Sequence, residues 1–294
     1  MEMKLASFGE ILWDIFGSER HIGGAPLNIA AHAALYGFDS YLISAVGDDD
    51  LGAAALDTVT RLGINPDFMT TKVGIQTGRC IVTLDADGMP KYKIDEVAAC
   101  DVIAQPRVPF SGFDVLCFGT LALRGEENIT TLEKIIADGD FAELYADLNI
   151  RAPFYSLRSV EFCLKTASIV KISDEELPVV ADVLGVKYTT PEVTAKQLSG
   201  RFPNIKLIII TLGERGSLCL DAAGGEVYRA PAQKTTVLST VGAGDSFGAA
   251  FLASYIRSRD IQKSLLVASH VSAYVVSLLE AVPAGSKKIF EELS

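Results

Sequence analysis

The stretch Thr240–Phe247, TVGAGDSF, sets two glycines around an alanine and follows them at once with an aspartate. Residues of these types at the mouth of a helix can do phosphoryl chemistry. The first N–H groups of a helix lack intrahelical acceptors, and glycines leave them unobstructed, which makes an anion site. Asp245 beside such a cradle can take the proton of an attacking hydroxyl. The amides of Gly242, Ala243 and Gly244 would meet the charge that develops on the transferring group. The helix dipole is expected to lower the Asp245 pKa and leave a weak base; a loose phosphoryl-transfer transition state tolerates that. A plainer reading is an ordinary helix start. It accounts for Asp245 through capping and the dipole but not for two glycines, which disfavour a helix. A dinucleotide loop would need a third glycine where Phe247 stands, and a P-loop would need Gly-Lys-Ser/Thr.

Other stretches could hold a polyhydroxylated ligand. In Gly23-Gly24-Ala25-Pro26-Leu27-Asn28 the glycines permit close backbone approach, Pro26 suits a first helical turn, and Asn28 offers a donor and an acceptor to paired hydroxyls. A strand-to-helix turn explains the same residues without a ligand. Asp14, in LWDIF, alternates with apolar neighbours and reads equally as an exposed strand position. Asn149 and Arg151 follow a strand ending at Asp147, where ligands of open α/β sheets bind. Ser173–Glu176 is an S-x-x-E capping box. Lys171, at a strand end, reaches either phosphate oxygens or solvent. Thr211–Gly216 is a turn between two apolar runs.

The elements that must position these residues alternate. Apolar runs at Leu5–Phe8, Tyr41–Val46, Val115–Phe118, Glu143–Asp147, Ser168–Ile172 and Leu207–Thr211 read as strands covered on both faces. Between them lie helical segments at Pro26–Tyr36, Leu51–Leu62, Asn128–Ala137, Leu157–Thr166, Asp174–Leu184 and Ala243–Ser258, with Gly37 and Gly185 at left-handed C-cap positions. This order predicts an α/β fold with a mostly parallel sheet between two helical layers. Gly78–Ile94 departs from the rhythm: two strand-like runs flank Asp87-Gly88, a hairpin signal, read as a flap over a site rather than an extra edge. Ser217–Leu220 and Glu226–Arg229 suggest a second small hairpin. The expectation is one domain over residues 1–294, with a lid formed mainly by residues 70–98 and helped by about 11–22.

Composition removes several function classes. A net charge of −11 over 294 residues shows no basic face for nucleic acid. Five scattered cysteines form no C-x-x-C pair, which points to a reducing compartment. His21, His32 and His270 are isolated in sequence, which argues against zinc. The first residues are broken by acids and do not form a signal peptide, and no run reaches the length of a membrane span. A cytoplasmic protein is expected. Asp48-Asp49-Asp50 reads as a helix cap, not a metal site.

Together, TVGAGDSF and GGAPLN, the latter extending through LYGFDSYLISAVGDDDLG, resemble the two signatures of the ribokinase-like, or PfkB-type, carbohydrate kinases. They stand in the right order, more than 200 residues apart. GEILWDIF, DLNIRAPFY and KISDEE are most similar to fructokinases and related sugar kinases. The resemblance implies a ribokinase-like three-layer α/β/α sandwich with a β lid, and transfer of the ATP γ-phosphate to a sugar hydroxyl with Mg²⁺. It makes Asp245 the base, and Asp14, Gly23, Gly24, Asn28, Asn149 and Arg151 sugar contacts. Lys171, Thr211, Gly213, Gly216 and Ser269 would line the nucleotide site, with Val276 near the adenine. Glu176 would hold Mg²⁺ through water; the family commonly has N-x-x-E there, and Ser173 replaces the Asn. Ser239 stands where the family has an Asp of a monovalent-cation site, which speaks against potassium activation. Fructose is the first expectation for the acceptor. Ribose, 2-keto-3-deoxygluconate, a nucleoside or a sugar phosphate remain open, as does a catalytically silent sugar-binding regulator. The family resemblance extends to a homodimer through the lid.

Overall fold

The computed structural model describes residues 3–84 and 90–294. Thirteen strands form two sheets among these residues. The central sheet contains β1 (Lys4–Phe8), β4 (Asp39–Gly47), β5 (Met69–Lys72), β8 (Val115–Gly119), β9 (Glu143–Asp147), β10 (Ile169–Ser173), β11 (Leu207–Thr211), β12 (Ser217–Asp221) and β13 (Val227–Ala230). Its order is β13-β12-β11-β10-β9-β8-β1-β4-β5. Pairing is parallel from β5 to β11, and β12 and β13 close one edge antiparallel. The second sheet, β3-β2-β6-β7, is built from β2 (Leu12–Phe16), β3 (Glu19–Gly23), β6 (Gly78–Leu84) and β7 (Pro90–Ile94). The mostly parallel sheet interleaved with helices is the α/β arrangement expected.

Each central strand sends alternate side chains to opposite faces, and both faces are covered. On β8, Leu116 and Phe118 enter one core while Val115 and Cys117 enter the other; on β11, Ile208 and Ile210 oppose Leu207 and Ile209. Burial on both faces is why these strands read as unbroken apolar runs. All five cysteines are free and buried, and Cys117 and Cys219 pack in the core as small hydrophobes.

The helices are α1 (Ala25–Leu35), α2 (Asp50–Arg61), α3 (Glu126–Asp138), α4 (Leu157–Thr166), α5 (Leu177–Val183), α6 (Pro191–Arg201), α7 (Ala243–Ser258), α8 (Ile261–Val276) and α9 (Ser286–Leu293). Asp49, Ser156, Thr190 and Asp260 cap α2, α4, α6 and α8 with their side chains. The cap of α2 is the role expected for the Asp48–Asp50 run. By contrast α1 and α7 begin at Gly24 and Gly242 with no side-chain cap from the residue at that position.

Two boundaries differ from expectation. The segment taken for the lid was to begin at residue 70, but Met69–Lys72 pairs parallel with β4 as the outermost strand of the central sheet. A short run after a helix carries no local mark of which sheet it joins. The helix expected from Asp174 starts at Leu177, because Ser173–Glu176 forms a hydrogen-bonded turn and Pro178 favours a start just after it. The hairpin turn at Asp87-Gly88 lies outside the described residues.

Candidate active site

The carboxyl ends of the central parallel strands and the bare ends of α1 and α7 converge. Gly242 has φ 77° and ψ −1°, the left-handed region that glycine accepts without strain. A Cβ there would lie 2.8–2.9 Å from atoms of Ala281, so this glycine is fixed by its backing as well as its angle. A Cβ on Gly244 would lie 3.1 Å from the Lys171 ammonium. The second glycine is thus small because a cation sits beneath it. The N–H groups of Gly242 and Gly244 have no protein acceptor among the described residues. The Ala243 N–H, expected in the same cradle, instead donates to the Thr240 carbonyl at 3.2 Å, because the tight turn into α7 closes on it. Ser272 of α8 donates to the Ala243 carbonyl at 3.1 Å and steadies the turn from the other side.

Asp245 is half-buried in the first turn of α7. Asn28 Nδ2 donates to its Oδ2 at 2.7 Å. Burial raises its pKa, with Asn28 and the charges of Lys171 and Arg151 pulling the other way. The expected lowering by the helix dipole is therefore overturned: loss of solvent outweighs the favourable field. The carboxylate is a better base than the sequence suggested. Asn28, expected to hold sugar hydroxyls, is committed by its amide nitrogen to this carboxylate.

Lys171 is not solvated. It is 4% exposed, as Asp147 is at 3%, and Nζ meets Asp147 Oδ2 at 2.7 Å. The two residues face each other in the parallel register of β9 and β10. Burial lowers the Lys171 pKa, but Asp147, Glu176 and Asp245 outweigh it and raise the pKa overall, which keeps the ammonium charged. Burial raises Asp147, and its Oδ1 has no partner among the described residues. Asp147 was missed as a site residue. The one signal was an acid closing an apolar strand.

Glu176 exchanges with Ser173 the reciprocal hydrogen bonds of a capping box, but in the turn ahead of α5 rather than at the first residue of that helix. Its Oε2 accepts from the Ser173 N–H at 2.8 Å, and its own N–H donates to Ser173 Oγ at 3.2 Å. Oε1 accepts from the Ile150 N–H at 2.7 Å, tying the end of β10 to the loop after β9. That loop carries Asn149, held at φ 40°, and the exposed Arg151. Burial raises the pKa of Glu10, Asp14 and Asp245, and Arg151 makes a smaller opposing contribution at all three.

Asp14 lies on β2 opposite His21 and Cys80. Burial raises its pKa against the Cys80 thiol, His21 and Arg151. Gly23 is packed under it: a Cβ there would lie 2.9 Å from Asp14 Oδ2. Gly24, at φ 120°, presses on the Glu10 carbonyl, where a Cβ would sit at 2.4 Å. Thr211 ends β11, Gly213 has φ 57°, and Gly216, at φ 90°, abuts the Ala230 carbonyl; Arg215 pairs with Asp174 and fastens this loop to the Ser173 turn. Ser269 is 7% exposed on α8, one turn before Ser272. Leu238 and Ser239 donate to the Val276 carbonyl, and Ser239 Oγ accepts from Val241.

Glu10 was also missed. It is 4% exposed and lines a narrow recess with Pro26, Gly119, Asp147 and Asn149. Burial pushes its pKa up to about 7, and Asp245 adds to the rise. In the unfolded chain it titrates near 4.5. The folded state therefore binds the extra proton between these values, and its stability falls as pH rises from about 4.5 through 7. That difference corresponds to on the order of 3 kcal/mol. Glu10→Gln should gain stability over the parent at pH 8 and lose the advantage at pH 4.5. Urea unfolding at both pH values checks this; equal differences at the two would refute it.

A nine-stranded, mostly parallel sheet thus carries at its carboxyl edge a bare helix end, a buried lysine and a carboxylate, groups able to cradle a phosphoryl unit and accept a hydroxyl proton. The pfkB family carbohydrate kinase model matches residues 4–284, and the chain belongs to that family. It is 30% identical to a fructokinase from Klebsiella pneumoniae over 242 residues, 79% of this chain and 76% of that one. It is 26% identical to a 5-dehydro-2-deoxygluconokinase from Bacillus velezensis, covering 98% of this chain and 90% of the other. The structure of fructokinase with bound ATP from Xylella fastidiosa superimposes with a TM-score of 0.87 at 20% identity, over 99% of both chains. The protein is a sugar kinase. Among the described residues no helix is long and apolar enough to cross a membrane.

Proposed function

We propose that the chain transfers the γ-phosphate of ATP to a primary hydroxyl of fructose. The observation that carries the reading is the junction at α7: free Gly242 and Gly244 amides, the Lys171 ammonium beside Gly244, and the Asp245 carboxylate held by Asn28. Asp245 orients the acceptor hydroxyl and takes its proton. The amides and Lys171 stabilise charge on the group in flight, as fixed dipoles and a positioned cation do. Asp14, Asn149 and Arg151 bind the remaining hydroxyls, with Gly23 and Gly24 letting the backbone approach. The β2-β3-β6-β7 sheet covers the acceptor as a lid and excludes water, and two copies associate through it. Thr211, Gly213, Gly216 and Ser269 line the nucleotide. Similarity to fructokinases supports fructose.

The residues fit a hydrated magnesium ion rather than a directly chelated one. Among the described residues no group of three His, Cys, Asp or Glu is placed to hold a metal. Each Glu176 oxygen accepts one amide and keeps a lone pair for a water. Bound magnesium would supply charge neutralisation on the phosphates. Ser239 brings no carboxylate, so activity is expected to be indifferent to potassium.

A panel of fructose, ribose, 2-keto-3-deoxygluconate and a nucleoside, with ADP release as the readout, tests the proposal. Fructose should give the highest kcat/KM. A higher value for another acceptor overturns the choice of sugar. Sugar binding without ADP release from any of them would make the chain a silent regulator.

A further inference from the structure

Asn28 and His32 stand one turn apart on α1, spaced to share a face. Asn28 reaches Asp245. His32 is fully buried, with Nε2 3.0 Å from the Ala281 carbonyl and Nδ1 3.1 Å from the Tyr36 hydroxyl. A carbonyl only accepts, so Nε2 carries the proton. Burial lowers the ring's pKa to about 4, which keeps it neutral near pH 7. Nδ1 is then an acceptor for the Tyr36 hydroxyl. Tyr36 is itself stacked on Phe290 of α9, ring centroids 4.3 Å apart.

The Ala281 carbonyl that His32 holds also backs the glycine at the start of α7. A Cβ on Gly242 would lie 2.8 Å from that oxygen and 2.9 Å from Ala281 Cα and Cβ. The strap between α8 and α9, residues 277–285, thus lies directly behind the residue whose left-handed geometry aims the free amides and leaves no room there for a side chain.

We propose that His32 is a positioning residue for phosphoryl transfer: by holding the Ala281 carbonyl it fixes the strap behind Gly242 and so sets the direction of the α7 amides. One helix then places both halves of the machinery, the base through Asn28 and the anion cradle through His32. The proposal rests on the phosphoryl-transfer reading above. A displacement of about 1 Å in such a site can change rates by roughly 100-fold, so a single buried hydrogen bond at this point has kinetic weight.

The test compares His32→Phe, His32→Asn and His32→Gln with Asp245→Asn. The Gln amide nitrogen falls near the position of Nε2 and reaches Ala281; the Asn amide falls short. Phe and Asn are expected to lower kcat by about 10- to 100-fold with acceptor KM little changed, and Gln to restore it to within a few-fold. The backbone ¹⁵N–¹H signals of Gly242 and Gly244 should shift in Asn and return in Gln, a readout independent of any acceptor. If Phe does not fold, the contrast between Asn and Gln decides. Unchanged kcat and unchanged glycine signals in Asn overturn the proposal, as does equal loss in Asn and Gln. An inert Asp245→Asn beside a fully active His32→Asn would remove His32 alone; absence of ADP release from the parent with every acceptor would remove the phosphoryl-transfer reading itself.

Discussion

Asp245→Asn is expected to lower kcat by roughly 10²- to 10⁴-fold, the range for loss of a general base, with ATP affinity within a few-fold of the parent. The change keeps shape. An Asn oxygen still accepts from Asn28 Nδ2, so the contact at 2.7 Å survives. What is lost is a carboxylate that burial has made more basic than usual. The variant also removes a charge that raises Glu10, so Glu10 should titrate lower in it. Steady-state ADP release with the best acceptor, together with calorimetric ATP binding, checks both parts. Retention of most of the activity would take the base role from Asp245. Loss of ATP binding in proportion to kcat would make it a nucleotide contact instead.

Lys171→Met should be the most destabilising single change in the site. It leaves Asp147, 3% exposed, as an uncompensated buried carboxylate with neither oxygen paired. Breaking one half of such a pair costs about 3–5 kcal/mol. Activity should fall as well, because the ammonium lies beside Gly244 at the phosphoryl cradle. The two effects separate in the double variant Lys171→Met/Asp147→Val. A buried ion pair replaced at both ends by apolar residues of similar volume is commonly close to neutral in stability, so the double variant should recover most of the loss in urea unfolding. Its kcat should stay low. Recovery of both stability and kcat would show that Lys171 serves only the fold.

Much of the site lay open in the chain. The start of α7 falls at Ala243 and β9 and β11 have the limits read from their apolar runs, because an α/β sheet buried on both faces leaves an unbroken hydrophobic signal. Gly37 and Gly185 take the left-handed angles expected after α1 and α5. The reciprocal hydrogen bonds between Ser173 and Glu176 are present, since they depend on residues three apart, although α5 begins only at Leu177. Asp147 and Glu10 escaped notice for the opposite reason. Each is a lone acid in an apolar stretch, and nothing local says whether such an acid faces solvent, a lysine or a recess.

The sequence by itself determined the alternation of buried strands with helices, though not β3, β5, α6 or α9, and the glycine start of α7 with its carboxylate in the first turn, because these follow from periodicity, backbone freedom and spacing along one segment. Only the tertiary structure decided that Lys171 lies opposite Asp147, that Asn28 reaches across 217 positions to Asp245, and that Met69–Lys72 joins the central sheet. It alone set the direction of the Asp245 shift. These outcomes depend on strand register and on how much water is removed from each group, and both are fixed only when distant segments pack together.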